Sequence, residues 1–235
     1  MAITVTASLD TPGHGTRVSR MMSHRGKAVR DSRRWWRKIA AFPADQAKEL
    51  NAEILRIPGP VSPPGVIGAA VIRAARSSAH LTRPRLAQQL NVNVATVRSW
   101  ENGTIPLFCV PYDQLRKLAH VLDRAGAQVG RELGELLSAS QCDLLLAGML
   151  RGFEDYAEVP PIDEDSANAG IARELLRWAL AGTTPDRYRQ YPSPPPLLDK
   201  NDIDLVTAMA RDLLTSSHGH DLVGYGSALI ALADH

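Results

Sequence analysis

Apolar residues recur at helical spacing along most of the chain. Four such segments lie between residues 66 and 123, and five more lie beyond residue 123. No stretch alternates apolar and polar residues with the period of two that half-buried strands show. The sequence therefore predicts an all-α protein. Beyond residue 123 the apolar positions are Val129, Leu133, Leu136 and Leu137; Leu144, Leu145 and Met149; Ile171, Leu175 and Trp178; Ile203, Val206, Ala210 and Leu213; and then residues 222 to 233.

Residues 82 to 90 are typical of a short helix with a defined start. Thr82 is a good N-cap, and a proline two residues later falls within the first turn, where its missing N–H is tolerated. Leu86, Ala87 and Leu90 share one face. The small alanine in that face predicts that a second helix packs closely against the first.

The second helix follows after a tight turn at residues 91 and 92. Asn93 can cap it, Val97 and Trp100 lie three apart and point inward, and Gly103 supplies the left-handed residue that ends it. Residues 82 to 103 therefore predict two short helices with a start and an end for each.

The outward face of this second helix is narrow and mostly small. Val94, Arg98 and Asn102 repeat at i, i+4 and i+8, with Ala95 and Ser99 beside them. A surface of that shape, with a single arginine, fits the major groove of DNA.

These residues resemble the lambda-repressor-like (Xre-family) helix-turn-helix. The resemblance rests on Leu86-Ala87, Leu90, Val92, Ala95-Thr96-Val97 and Trp100-Glu101-Asn102-Gly103, and it extends over about residues 66 to 123 when the flanking apolar helices are included. It implies a five-helix DNA-binding domain that places helix 94 to 102 in the major groove. It also implies a homodimer that reads two half-sites about one helical turn apart.

The resemblance and the outward face together predict the DNA contacts. Arg98 is the best match to a guanine edge, and Val94 or Ala95 to a thymine methyl group. The family's glutamines are replaced by Arg83 and Val94, so glutamine-to-adenine readout is not carried over. The predicted base contacts are Asn93, Val94, Ala95 and Arg98, and the predicted phosphate contacts are Thr82, Arg83, Arg85, Ser99, Asn102 and Thr104.

Two neighbouring segments complete the predicted domain. In the helix that begins near residue 66, Ile67 and Val71 should point inward while Arg73 and Arg76 face water. The loop of residues 104 to 110 holds four large apolar side chains, which indicates either local packing or a dimer contact.

The net charge of +2 is the sum of a basic first half and an acidic second half of the chain. Residues 1 to 120 hold 18 Lys and Arg against 7 Asp and Glu, a balance of +11, whereas residues 121 to 235 hold 9 against 18, a balance of −9. A basic half favours polyanions through counterion release. The sign changes where the predicted DNA-binding domain ends.

The prolines and charges also predict a domain order. Residues 1 to 57 are a basic arm with a short helix, 58 to 65 a proline-rich linker, 66 to 123 the helix-turn-helix domain, and 124 to 235 an acidic helical bundle. The arm either contacts DNA or forms an amphipathic helix whose tryptophans pack on the protein. Its candidate contacts are Arg30, Arg33, Arg34, Trp35, Arg37 and Lys38.

Other function classes lack sequence support. Cys109 and Cys142 lack metal-ligand spacing and are expected to be buried, and His218 and His220 are a weak metal candidate. No catalytic motif, membrane-length apolar run or secretion signal is present, so the expected protein is a cytoplasmic, nucleoid-associated non-enzyme without a cofactor or bound metal.

The sequence therefore predicts a dimeric, sequence-specific transcriptional regulator, with repression as the expected mode. The acidic half would supply dimerisation and could bind a protein or small-molecule effector. Two alternatives remain open. The first is an antitoxin or immunity-type protein whose acidic half binds a basic partner. The second is a ligand sensor with an apolar cavity among Leu144, Met149, Trp178 and Leu213.

Overall fold

The computed structural model describes residues 62–151, 169–191 and 197–216. Within these ranges the chain is all-α, with no strand. Single turns of 3₁₀ helix at Leu107–Cys109 and Asp186–Tyr188 supplement the α-helices. The helices are α1 (Val66–Ser78), α2 (Arg83–Leu90), α3 (Val94–Glu101), α4 (Tyr112–Arg124), α5 (Leu133–Arg151), α6 (Ala169–Ala181) and α7 (Lys200–Ser216).

Helix α5 lies at the centre of the fold. Its 19 residues are apolar on nearly every side, as expected for a helix surrounded by others rather than lying on a surface. It packs against α1, α4, α6, α7 and the 3₁₀ turn at Leu107–Cys109. The two apolar segments expected at Leu133 to Leu137 and Leu144 to Met149 are thus parts of one helix.

Helix α1 is enclosed as well, because α5 covers one side and α3 another. Of its 13 residues, only Arg73, Arg76 and Ser77 are more than slightly accessible. The expectation that Arg73 and Arg76 face water is wrong, since both are only partly exposed and both donate hydrogen bonds to Glu101. The pattern of α1 alone could not show this, because the partner of both arginines, Glu101, lies on α3, which packs against α1.

One hydrophobic core runs through the described chain, from Val66 in α1 to Ala210 in α7. The apolar side chains that precede residue 123 and those that follow it belong to the same cluster. The domain boundary expected after residue 123 therefore separates helices whose apolar faces meet in one core.

Two loops differ from the simplest expectation. Val129 was expected in a helix but lies in the turn before α5, where Gly130 has φ +63° and donates its N–H to Glu135 Oε2 at 2.6 Å. The apolar loop of residues 104 to 110 forms a buried 3₁₀ turn against α5. Of its two interpretations, the structure favours local packing over a dimer contact.

The starts of two helices are held by residues far away in sequence. At the start of α1, Asp143 Oδ1 and Oδ2 accept the N–H groups of Ile67 and Gly68 at 2.9 and 2.8 Å. At the start of α7, Ser62 Oγ accepts the N–H of Asp199 at 2.8 Å, and Asp202 Oδ2 accepts the N–H of Ser62 at 2.7 Å. The last part of the expected linker, residues 62 to 65, is therefore packed into the fold.

Several expectations concern residues outside the described ranges. They are the basic arm from Arg30 to Lys38, the arm's helix near residues 44 to 57, the histidine pair at 218 and 220, and the final apolar segment at 222 to 233. Among the residues that are described, no helix has the combined length and apolarity needed to cross a membrane.

Candidate nucleic-acid interface

The local geometry of α2 and α3 follows their capping residues. Thr82 Oγ1 accepts the N–H of Arg85 at 3.3 Å, and Asn93 Oδ1 accepts the N–H of Ala95 at 2.9 Å. The turn between the helices is closed by Asn91, whose φ of +56° is the left-handed conformation that asparagine tolerates. The two helices predicted between residues 82 and 103 are confirmed, with the caps that the sequence indicated.

The inner faces of both helices are buried as expected. Leu86, Ala87 and Leu90 of α2 and Val97 and Trp100 of α3 all belong to the hydrophobic core. The alanine in this set lets α2 and α3 pack closely. Burial of these faces fixes which side of α3 points to solvent.

The four predicted base-contacting residues all lie on the outer side of α3. Asn93, Val94, Ala95 and Arg98 are each exposed. Val94 is 36% accessible, and with Leu205 it is one of the two exposed large apolar side chains among the described residues. The outer face of α3 therefore offers an apolar front and one guanidinium a turn further on.

The predicted phosphate contacts differ in accessibility. Thr82, Arg85, Asn102 and Thr104 are exposed, while Arg83 and Ser99 are partly buried. Thr104 folds back onto α3, since its N–H and its hydroxyl donate to the carbonyl oxygen of Ser99 at 3.1 and 3.2 Å. Arg83 is 41% exposed, and its Nε donates to Glu101. All six residues lie on or beside α2 and α3.

Glu101, at the end of α3, is the one feature of this region to which the sequence analysis gave no role. Its side chain is fully buried, and its two carboxylate oxygens accept hydrogen bonds from Arg76 Nε of α1 and Arg83 Nε of α2. Arg73 of α1 donates to its backbone carbonyl. We call Glu101 and these three arginines the Glu101 cluster, which holds α1, α2 and α3 together.

A sequence signal for the Glu101 cluster did exist. Glu101 lies four residues after the inward Val97, which places it on the buried face. It is also the only acidic residue between positions 66 and 112, where there are five arginines. A lone acid on a buried face requires a cationic partner, because an unpaired buried charge is costly.

The Glu101 cluster carries excess positive charge. Burial lowers the pKa of Arg73, the charge of Glu101 opposes that shift, and nearby Arg83 adds to it. Two of the three guanidinium groups bind the one carboxylate and the third binds the backbone carbonyl of the same residue, while the remaining arginines of α2 and α3, Arg85 and Arg98, are exposed. Helices α1 to α3 therefore carry five arginines against one acidic residue, which is buried.

The end of α3 is also fixed through two glycines. Gly103 has φ +71°, and a side chain on it would meet the carbonyl carbon and oxygen of Gly65 at 2.8 Å. Gly65 in turn donates its N–H to the carbonyl oxygen of Gly103 at 3.0 Å. The chain before α1 and the chain after α3 therefore touch backbone to backbone.

Part of the acidic charge beyond residue 120 is used inside the protein. Asp143 accepts the N–H groups of Ile67 and Gly68 at the start of α1, Asp202 accepts the N–H of Ser62, and Glu135 accepts hydrogen bonds from Tyr188 and Arg187. Burial raises the pKa of Asp143 to about 8, although its two backbone hydrogen bonds oppose the shift. These three carboxylates are buried, so they add little to an acidic surface.

Three of the four residues suggested for an effector cavity are buried. Leu144, Met149 and Trp178 are buried, and the side chain of Leu213 lies outside the described set. Trp178 stacks on Tyr188 with ring centroids 4.9 Å apart. One residue of the suggested cavity is thus packed against an aromatic ring, and the cavity itself stays a prediction.

The cysteines and the metal-binding residue types were the remaining candidates for a chemical site. Cys109 and Cys142 are buried thiols, as expected, and burial raises the pKa of Cys109 to about 12. Within the described ranges no group of three His, Cys, Asp or Glu side chains is arranged to hold a metal ion.

No protein family, curated protein or solved structure matches this chain. The function is therefore proposed from the residues and geometry given above.

Proposed function

We propose that this protein is a sequence-specific DNA-binding transcriptional regulator of the lambda-repressor-like type, acting as a repressor in the cytoplasm. Helices α1 to α4 are its DNA-binding unit, and the helices from α5 onward support that unit and supply dimerisation. In this proposal α3 enters the major groove, and two protomers read an inverted repeat whose half-sites lie about one helical turn apart.

The exposed outer face of α3 carries the proposal. Asn93, Val94, Ala95 and Arg98 are all accessible, while the opposite face of the same helix is buried. Base readout needs a helix whose orientation is fixed, so that a few side chains reach base edges in register. The Glu101 cluster and the contact between Gly65 and Gly103 supply that fixation at the end of α3.

The charge distribution supports the same function. The sequence between residues 66 and 112 contains five arginines and one acidic residue, and that acidic residue is buried. Phosphate contacts would come from Thr82, Arg83, Arg85, Ser99, Asn102 and Thr104, with the basic arm as an auxiliary contact. Such contacts set the register of a protein on the duplex, and base contacts then give specificity.

Selection of bound sequences from a random DNA library tests this function. The proposal expects an inverted repeat with half-sites about one turn, or ~10 base pairs, apart. Recovery of no common sequence would contradict it. The full chain should be used, because the apolar core is shared between the proposed DNA-binding helices and the helices beyond residue 123.

A further inference from the structure

The first two residues of α3, which we call its front, have side chains that end only in methyl groups. Val94 and Ala95 begin the helix, both are exposed, and neither side chain can donate or accept a hydrogen bond. The adjacent Asn93 has its Oδ1 engaged by the N–H of Ala95 at 2.9 Å. A base pair facing this front would therefore meet hydrocarbon.

Thymine differs from the other DNA bases in the major groove by its C5 methyl group, next to the acceptor O4. An apolar front recognises that methyl group by removing it from water, and it does not read O4. Cytosine methylated at C5 carries the same methyl group at the same place on its ring. An apolar contact would therefore treat thymine and 5-methylcytosine alike.

We propose that Val94, with Ala95, reads a pyrimidine C5 methyl group, so that one position of each half-site accepts thymine or 5-methylcytosine and disfavours uracil and cytosine. This inference rests on the proposed function. It makes the regulator sensitive to cytosine methylation at that position.

The position of this base relative to the guanine contact follows from helix geometry. Arg98 lies four residues after Val94, which is about 6 Å along an α-helix. Base pairs follow each other about 3.4 Å apart along a strand. The methyl-bearing pyrimidine should therefore lie about two base pairs from the guanine contacted by Arg98.

The test uses duplexes of the selected operator in which each thymine is replaced by uracil, one position at a time. Uracil should weaken binding about fourfold at one position per half-site, the ratio that burial of one methyl group supplies. At that position a 5-methylcytosine·guanine pair should restore the affinity of the thymine site. An unmethylated cytosine·guanine pair should bind like the uracil site.

Two variants separate this contact from general effects. Val94→Ala should reduce the ratio between thymine and uracil affinities toward one. Leu205→Ala removes the other exposed large apolar side chain, which is 42% accessible on α7, and should leave the ratio unchanged. Circular dichroism on both variants checks that the fold is retained.

The outcomes of these experiments test the methyl contact separately from the proposed regulator function. If an operator is selected but no thymine is sensitive to uracil, the methyl contact is wrong and the regulator stands. The same holds if 5-methylcytosine binds no better than cytosine. If binding is independent of sequence, both the regulator and the methyl contact are wrong.

Discussion

Glu101 Oε1 of α3 accepts a hydrogen bond from Arg76 Nε of α1, and the glutamate side chain is fully buried. The other carboxylate oxygen is bound by Arg83 of α2. One carboxylate therefore links the helix proposed to read DNA to the two helices that precede it. Orientation of α3 depends on a charge pair as well as on apolar packing.

Replacing Glu101 by glutamine should destabilise the protein. The change leaves the Arg76 and Arg83 guanidinium groups without a counter-charge, and removing one partner of a buried pair is costly. We expect a loss of about 2 to 3 kcal/mol in the free energy of unfolding, less than for a fully buried pair because Arg83 is partly exposed. Urea denaturation followed by circular dichroism measures this loss.

Asp113→Asn is the matched control. Asp113 is 88% exposed and lies 3.7 Å from Arg116, so its loss should change the unfolding free energy by less than about 0.5 kcal/mol. Equal effects of the two substitutions would show that the Glu101 cluster contributes no more than a surface ion pair.

Gly103→Ala should be more damaging than Gly126→Ala. Both glycines have a left-handed backbone conformation, with φ of +71° and +75°, so alanine at either position should lower the free energy of unfolding by about 1 kcal/mol. Only at Gly103 would the new Cβ also meet Gly65 backbone atoms at 2.8 Å, whereas nothing lies within 4 Å at Gly126. Thermal unfolding should show a clearly larger loss for Gly103→Ala, and equal losses would argue against the backbone contact.

The buried carboxyl of Asp143 should make stability depend on pH. Its pKa is raised from 3.8 to about 8 in the folded protein, mainly by burial, so between these values the folded state binds more protons than the unfolded state. The contribution of Asp143 to the free energy of unfolding is therefore greatest below about pH 4 and decreases as the pH rises toward 8.

Urea denaturation between pH 5 and 8 tests the effect of Asp143 against the variant Asp143→Asn. The variant should be less stable at pH 5, because one amide cannot accept both the Ile67 and Gly68 N–H groups, and its stability should fall less with pH. Parallel pH profiles for the two proteins would contradict the raised pKa.

Much of the local structure could be predicted from the sequence, because it depends on neighbouring residues. Thr82, Asn93 and Gly103 define the ends of α2 and α3 through contacts within a few positions. The Asp143 cap on α1 and the Ser62 contact with α7 join residues 75 to 140 positions apart, and no periodicity indicates them.

The same reason explains the errors at Arg73 and Arg76. Each was placed facing water from the pattern of α1 alone, but their partner Glu101 lies 28 and 25 positions away. The outer face of α3, in contrast, could be predicted except for the partly buried Ser99, because a helix with one buried face exposes the opposite one. Which bases that face contacts remains a prediction.

Arg98→Ala and Arg85→Ala should weaken DNA binding in different ways. Loss of the guanine contact proposed for Arg98 should cost about 1 to 3 kcal/mol on the operator and relax specificity at one base pair. Loss of the phosphate contact proposed for Arg85 should weaken operator and random DNA alike and reduce the salt slope by about 1. Binding titrations on both duplexes measure the difference, and an equal loss on both for Arg98→Ala would refute its base contact.

The affinity of the full chain for its selected operator, compared with a scrambled duplex between about 50 and 200 mM salt, tests the proposed function most directly. A specific regulator should bind the operator about 10³-fold or more tightly at physiological salt, while both affinities fall as salt rises. A ratio near one with a steep salt slope would mean that basic charge alone holds the DNA, and it would contradict base readout by α3.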